Sequence, residues 1–451
     1  MAEIRPKAID KLLRLSLLDA LRERRSRRFG LGMRIEGEPL AYTSQHPPLS
    51  LSQEEEAILA FAAAGITGPV MSDWRFAKGS GGNMMAGIVG RTVGSADAIG
   101  NVALVVINDE AAYLMKRPRD LDAAELAEGL RLNSEGQFLE AWQLCRIKIA
   151  DARCAPPLDL PYNINPNRWS LYARGTTYFL PVADLTFFYI NALLELFNED
   201  TGLYALDERA MFMPAGVGRF ARSKGGHMDD DPRKLKAVPI EFVERLIAEM
   251  IAVEQGMMLQ NLGLVCEAMG LGGFPHFTSH DSAWFEALGF RRAELPLTRF
   301  YNVPAPASWF LNMLKQDVGV SFPVGLERDG KVLLKSYCPP YYPSMEAAVR
   351  AVVEVKFGAN GLWRAEPPAS AWKQPAKVMK NIPPISDKAI GATIAYCEYL
   401  WKRYSRFPVY LPPFHTLMGF QAHHVDTGFY DQYYQPGALN ERHRRHLEEW
   451  H

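Results

Sequence analysis

The chain has 451 residues, 48% of them hydrophobic, and a formal net charge of −1. That length allows a large buried core and more than one structural unit, while the balanced charge argues against nucleic acid or an anionic membrane surface as partner. No apolar run approaches the ~18 residues of a membrane span, and the opening MAEIRPKAIDKLL lacks a signal-peptide core, so a cytoplasmic protein is expected.

Leu12, Leu13, Leu15, Leu17, Leu18 and Leu21 predict an early helix ending in Arg24-Arg25-Ser26-Arg27-Arg28-Phe29. Such a cluster complements the helix macrodipole and is common on surfaces. It also suits a phosphate clamp, because forked guanidinium groups and a hydroxyl match a terminal phosphate. Leu51 to Thr67 predicts a second helix, capped by Ser52, acidic in its first turn and closed by Gly65. Gly79-Ser80-Gly81-Gly82-Asn83 lacks the ending of a P-loop and reads as a loop. Gly94-Ser95-Ala96-Asp97-Ala98-Ile99-Gly100 leads into Asn101 to Ile107, an apolar run of strand length. A small-residue loop feeding a buried strand lets backbone lie against a flat ring.

Pro156, Pro157, Pro161, Asn163, Asn165 and Pro166 mark an irregular linker, followed by Tyr178 to Phe197, expected as a buried helix. Arg219 to Lys236 reads as an exposed loop, a solvated linker by default and a lid if it borders a pocket. The most selective segment is Glu254 to Gly273, EQGMMLQNLGLVCEAMGLGG, within a helix expected from Val238 to Gly270. Met257, Gln260, Leu264 and Ala268 share one stripe, with Met258, Leu262, Val265 and Met269 beside it, so the helix is apolar almost all round and expected to be buried. Glu254, Gln260 and Asn261 then need partners, since an unpaired buried polar group costs ~1–3 kcal/mol. Gly270, Gly272 and Gly273 supply a left-handed cap and allow close backbone approach. Alone, the segment reads as a core helix with a glycine cap.

Farther on, Val324 to Lys335 predicts two strands joined by an Asp329-Gly330 turn; Ser344 to Phe357 and Ala389 to Tyr404 predict helices. No internal repeat is evident, which disfavours a duplicated pseudo-dimer. His415, His423, His424, Asp426 and Asp431 are metal-ligand types, but adjacent histidines point to different faces, so no metal site is assigned. His443-Arg444-Arg445-His446 reads as a solvated helix end. Cys145, Cys154, Cys266, Cys338 and Cys397 lack C-x-x-C spacing and read as reduced thiols.

In order, three segments resemble the nitroreductase-like FMN-dependent flavoproteins, especially their azoline-dehydrogenase branch. Arg24, Arg25, Ser26 and Arg28 match R-R-S-x-R-x-F; Ser95, Ala96, Ala98 and Ile99 match P-S-A-G-A-hydrophobic; Glu254, Gly256, Gln260, Asn261, Gly270 and Gly272 match E-x-G-x-x-x-Q-N…G-L-G. Asp97 stands where the family has glycine, Gly100 where it often has an aromatic and Asn101 where it often has proline. The late basic residue of the family's phosphate site has no matching motif; Arg291, Arg292 and Arg299 are candidates.

The resemblance implies an α+β fold, with a mixed, mainly antiparallel sheet flanked by helices. It implies a flavin-binding core over 1–300, an insertion at about 151–237 and a C-terminal extension or accessory domain over 301–451. FMN would be held by Arg24, Arg25, Ser26, Arg28, Ser95, Ala96, Asp97, Glu254, Gln260, Gly272 and Gly273, in a homodimer with two flavins at its interface. NAD(P)H is an electron donor in the family's ping-pong reaction with a small-molecule substrate. A carboxylate at Asp97 facing the flavin would disfavour the anionic reduced ring. A flavin-fragmenting enzyme on the same fold, or a non-redox flavin-binding or storage protein, therefore stays open.

Overall fold

Val102–Ile107 is a strand with every residue buried, and its members alternate between two cores. Val102, Leu104 and Val106 join one, while Ala103, Val105 and Ile107 join the other. Protein on both faces explains why this stretch runs unbroken apolar instead of alternating with polar residues. The computed structural model describes residues 7–71, 89–159, 162, 168–277, 281–358, 371–380 and 384–451.

Seven strands form the central sheet: β1 (Val102–Ile107), β2 (Ala112–Met115), β3 (Arg146–Ala150), β4 (Thr177–Asp184), β5 (Gly272–Phe277), β6 (Phe414–His415) and β7 (Met418–His423). Their order is β5-β7-β4-β1-β2-β3, with β6 also on β4. Every pairing in this sheet is antiparallel, including Val102↔Ala183 through Ile107↔Tyr178 between β1 and β4. Parallel pairing occurs in a separate small sheet, where Ala237–Pro239 lies beside Tyr204–Asp207. The fold is α+β.

The helices that matter for the site are α1 (Leu17–Glu23), α2 (Gln53–Ala64), α3 (Leu185–Leu196), α4 (Ile240–Met269), α5 (Met345–Phe357), α6 (Asp387–Tyr404) and α7 (Glu441–Trp450). Ser52 and Glu55 form a reciprocal capping box at the start of α2. Ser344 caps α5 through Ala347 N. The strands Gly319–Arg328 and Lys331–Lys335 are joined at Asp329 (φ 51) and Gly330 (φ 73), the left-handed pair that a tight hairpin requires. No described helix is long and apolar enough to cross a membrane. The five cysteines are all free thiols.

Several expectations need correction. The apolar stretch from Tyr178 to Phe197 is strand then helix, because the Asp184 carboxylate accepts from Thr186 N and Phe187 N and starts α3. The early leucine-rich stretch is likewise two helices, Lys7–Arg14 and α1, the second started by Ser16. The stretch expected as an insertion contains β4, the middle of the sheet. Nor is the part after 301 a body apart: it supplies β6 and β7, α5 and α6 pack on α3, and one hydrophobic core runs from Ile9 to Ala422. Gly79 to Asn83, with Pro161, Asn163, Asn165 and Pro166, lies outside the described residues.

Helix α4 is not buried all round. Glu254, Gln255, Met258, Leu262 and Cys266 point inward, whereas Val253 is 56% and Met257 41% exposed, with Gln260 exposed in the same row. The stripe of Met257 and Gln260 is the outer face of the helix.

Candidate functional site

Glu254 joins two of the three sequence segments. Its carboxylate, 1% exposed, accepts from the Arg91 guanidinium, from Ser95 Oγ at 2.6 Å and from Val102 N at 3.1 Å. Arg91 Nη1 also donates to Val102 O at 2.8 Å; burial pulls its guanidinium below the usual range, against the attraction of Glu254. Ser95 Oγ accepts from Gly100 N at 2.9 Å, closing the small-residue loop on itself. Asn261 Nδ2 donates to Ala62 O and Thr92 O at 3.0 and 3.1 Å, fastening α4 to α2 and to the approach to that loop. Arg91 escaped the sequence reading although it directly precedes the loop. Its demand for a buried counter-ion becomes visible only once its burial is known.

The departure at Asp97 has a structural account. Asp97 and Ala98 have φ of 54 and 50, the left-handed region where glycine is usual and Asp is tolerated. The Asp97 carboxylate accepts from Asn191 Nδ2 at 3.2 Å and interacts with Lys356, a fully buried lysine on α5. Burial lowers the Lys356 pKa to about 7, while Asp97 and Glu195 pull it upward. The acid is thus directed toward α3 and α5.

The Arg cluster divides. Arg27 is 4% exposed and donates to Glu267 at 2.5 Å and to Ala438 O at 2.8 Å, and Arg25 N also donates to Glu267 at 3.2 Å. Arg28 is half-buried, its guanidinium 4.6 Å from the Phe274 ring and 5.5 Å from Trp169, with Nη2 donating to Ser170 Oγ at 3.3 Å. Burial lowers its pKa. Arg24, Arg25 and Ser26 are exposed.

Arg24 runs past α4, its Cδ 3.9 Å from where a Cβ on Gly263 would stand; Gly94 approaches the same helix at Met257, 3.3 Å from Sδ by the same measure. These contacts are six residues apart on α4, ~9 Å along its axis. Between and beside them lies the outer row of Val253, Gly256, Met257 and Gln260. Among the described residues, a Cβ on Gly256 would meet nothing within 4 Å. Glycine in a helix interior costs ~1 kcal/mol relative to alanine, and packing among the described residues does not account for it.

The remaining candidates lie elsewhere. Gly272 and Gly273 are buried in β5, where a Cβ would come within 2.6 Å of His423 Nε2 and of Phe420 Cε1 respectively. Their smallness serves the β5–β7 contact. Arg291, Arg292 and Arg299 bond to Glu327, Glu286 and Ser405 on the surface. A cleft of about 360 Å³ is lined by Lys116, Arg117, Arg119, Asp120, Lys335 and Tyr337. Three of its cations pair internally: Lys116 with Glu125 at 2.5 Å, Arg117 with Asp120 at 2.7 Å and Arg119 with Asp184 at 2.9 Å.

His423 and His424 diverge, as adjacent residues must. His423 packs against Gly30 and Gly272, and burial drops its pKa to about 3. His424 meets Glu55, His446 and His451, a set the sequence reading did not assemble, and His443 and His446 are buried instead of solvated. Burial pushes the Glu55 carboxyl upward, but hydrogen bonds from His424, His446 and His451 outweigh it and hold the group well below the usual range.

No family model matches the chain, and no curated protein matches it. A solved structure described as a "putative nitroreductase" from Ralstonia eutropha JMP134 aligns with 61% of this chain and 77% of its own, at 14% sequence identity and a TM-score of 0.29.

Proposed function

We propose that the chain is an FMN-dependent oxidoreductase passing hydride between a nicotinamide or organic substrate and flavin N5. The observation that carries this reading is that Arg24 and the loop before β1 both pack on α4, six residues apart at Gly263 and Met257, with the exposed Gly256 beside them. The exposed residues fit the group: Arg24, Arg25 and Ser26 offer two guanidinium forks and a hydroxyl to a terminal phosphate. The sequence has no G-x-G-x-x-G loop of the kind that holds a dinucleotide, which favours FMN over FAD.

Bound flavin supplies the hydride chemistry, and the protein supplies position and electrostatics. Glu254 holds the Ser95 loop at fixed height on α4, so that its backbone can approach a flat ring. Asn191 and Lys356 hold the Asp97 carboxylate inward, which removes the objection that it would repel a reduced anionic ring. Val253 and Met257 give the face an apolar floor that excludes water. These exposed apolar side chains are ones that a second copy of the chain would cover.

Mass spectrometry of cofactor released from purified protein tests the reading, with FMN expected. FAD alone, or a colourless protein that ignores added FMN, would overturn it.

A further inference from the structure

We propose that Glu55, His424, His446 and His451 form a binding site for a divalent transition metal, zinc by its chemistry, clasping α7 to the start of α2 and the end of β7. Their candidate ligand atoms all lie within 4.8 Å of one another. His446 Nε2 is 2.7 Å and His424 Nε2 3.2 Å from Glu55 Oε1; His451 Nε2 is 3.1 Å from His424 Nε2 and 3.4 Å from Glu55 Oε2. For zinc–nitrogen bonds near 2.0–2.1 Å, the edge of a tetrahedron of ligands is ~3.3 Å. The observed separations bracket that edge.

The outer hydrogen bonds set the chemistry. His424 Nδ1 is 3.0 Å from Leu49 O, and His446 Nδ1 is 2.8 Å from Met269 O. A carbonyl only accepts, so both Nδ1 atoms carry the proton and a neutral ring turns its Nε2 lone pair inward. Glu55 Oε2 is held by Ser52 N at 2.6 Å, which aims Oε1 at the same point. Backbone carbonyls on the far ring nitrogens are the usual support for metal-binding histidines. Without a cation, lone pairs and a carboxylate converge, and relieving them with protons requires imidazolium rings packed 5.1 Å apart in the interior. One divalent ion satisfies all four groups. Three nitrogens and one oxygen suit zinc or cobalt far better than magnesium or calcium. The His451 side chain, 27% exposed where the other three are 0–3%, gives the entry path.

The test uses the full, untagged chain, stripped by a chelator and titrated with Zn²⁺ by calorimetry and with Co²⁺ by visible absorption. One equivalent of each is expected, with an intense tetrahedral-type Co²⁺ spectrum and a higher Tm on adding Zn²⁺. His446→Ala and His451→Ala should each weaken binding by more than the roughly 10–100-fold that loss of an outer partner costs. If His446→Ala does not fold, His451→Ala, at the exposed edge, decides alone. A folded chain that binds neither ion at micromolar concentration, or one whose affinity is unchanged by His451→Ala, overturns the site and leaves a histidinium–carboxylate cluster.

Discussion

Glu254→Gln removes one charge and little volume from the point where α4, the Ser95 loop and β1 meet. The amide keeps one oxygen for Ser95 Oγ or Val102 N, but turns an N–H2 toward Arg91, whose side chain is 3% exposed. Breaking a buried ion pair from one side costs ~3–5 kcal/mol, because the surviving charge is left without compensation. At about 2.1 cal/mol/K per residue, a chain of 451 residues unfolds with on the order of 0.9 kcal/mol/K, so the variant should lose roughly 4 °C in Tm. Circular dichroism melts measure this. Arg91→Met combined with Glu254→Gln should recover part of the loss, since the stranded cation is gone; a double-mutant cycle reads the coupling. A Tm within 1 °C of wild type for Glu254→Gln, or a double variant as unstable as the two singles added together, would refute the claim that Glu254 anchors the loop through its charge.

Arg24→Ala and Arg25→Ala should each weaken FMN binding by about 1.5–3 kcal/mol, the scale of a charged hydrogen bond lost; unchanged affinity in apoprotein titrations returns both to ordinary surface charge. Val253→Glu, placing a charge on the exposed apolar row, should shift the mass found by light scattering from two chains toward one, and a wild-type monomer already loaded with FMN would refute the shared site. His276 is buried, and burial lowers its pKa to about 4 from 6.5. Between those values the unfolded chain binds the extra proton, so stability is fully present above pH 6.5 and falls by on the order of 3 kcal/mol as pH drops toward 4; His276→Phe should flatten that slope in melts across the range, and an unaltered slope would count against it. Gly256→Ala should stabilise the apoprotein by up to about 1 kcal/mol through helix propensity while weakening FMN binding or dimerisation; a gain in Tm with both unchanged would show that nothing approaches that face.

Local signals survived into the structure wherever a short segment decides its own shape. The caps at Ser52 and Ser344 and the Asp329-Gly330 turn are such cases, since cap and turn chemistry involves residues two or three apart. Tyr178 to Phe197 was not legible, because a run buried on every side carries no period and hides the switch from strand to helix at Asp184. The place of β7 in mid-sheet was equally hidden, since strand order depends on pairings between residues more than 200 positions apart, such as Gln421 with Tyr178. At the site, the residue types in the Glu254 helix and the Ser95 loop were visible, but not that one carboxylate joins them. The metal cluster shows why distance defeats pattern. Glu55 is one of three acids in the first turn of a predicted helix, and His446 sits in a basic run that resembles any solvated helix end.

Three buried carboxylates along α4 explain how a helix of this length organises so much of the chain. Glu244 accepts from Val409 N at 2.7 Å and Tyr410 N at 2.6 Å. Ten residues on, Glu254 gathers Arg91, Ser95 and Val102; thirteen beyond that, Glu267 holds Arg25 N, Arg27 and Asn440 Nδ2 at 2.9 Å. Each acid is 1–2% exposed, so each must be satisfied by the segment it holds, and each segment comes from a different part of the sequence. These buried positions are therefore spent on fold. Among the described residues, the stretch of α4 left open to a ligand is the row of Val253, Gly256, Met257 and Gln260, which has two exposed apolar side chains and a cationic segment toward one end.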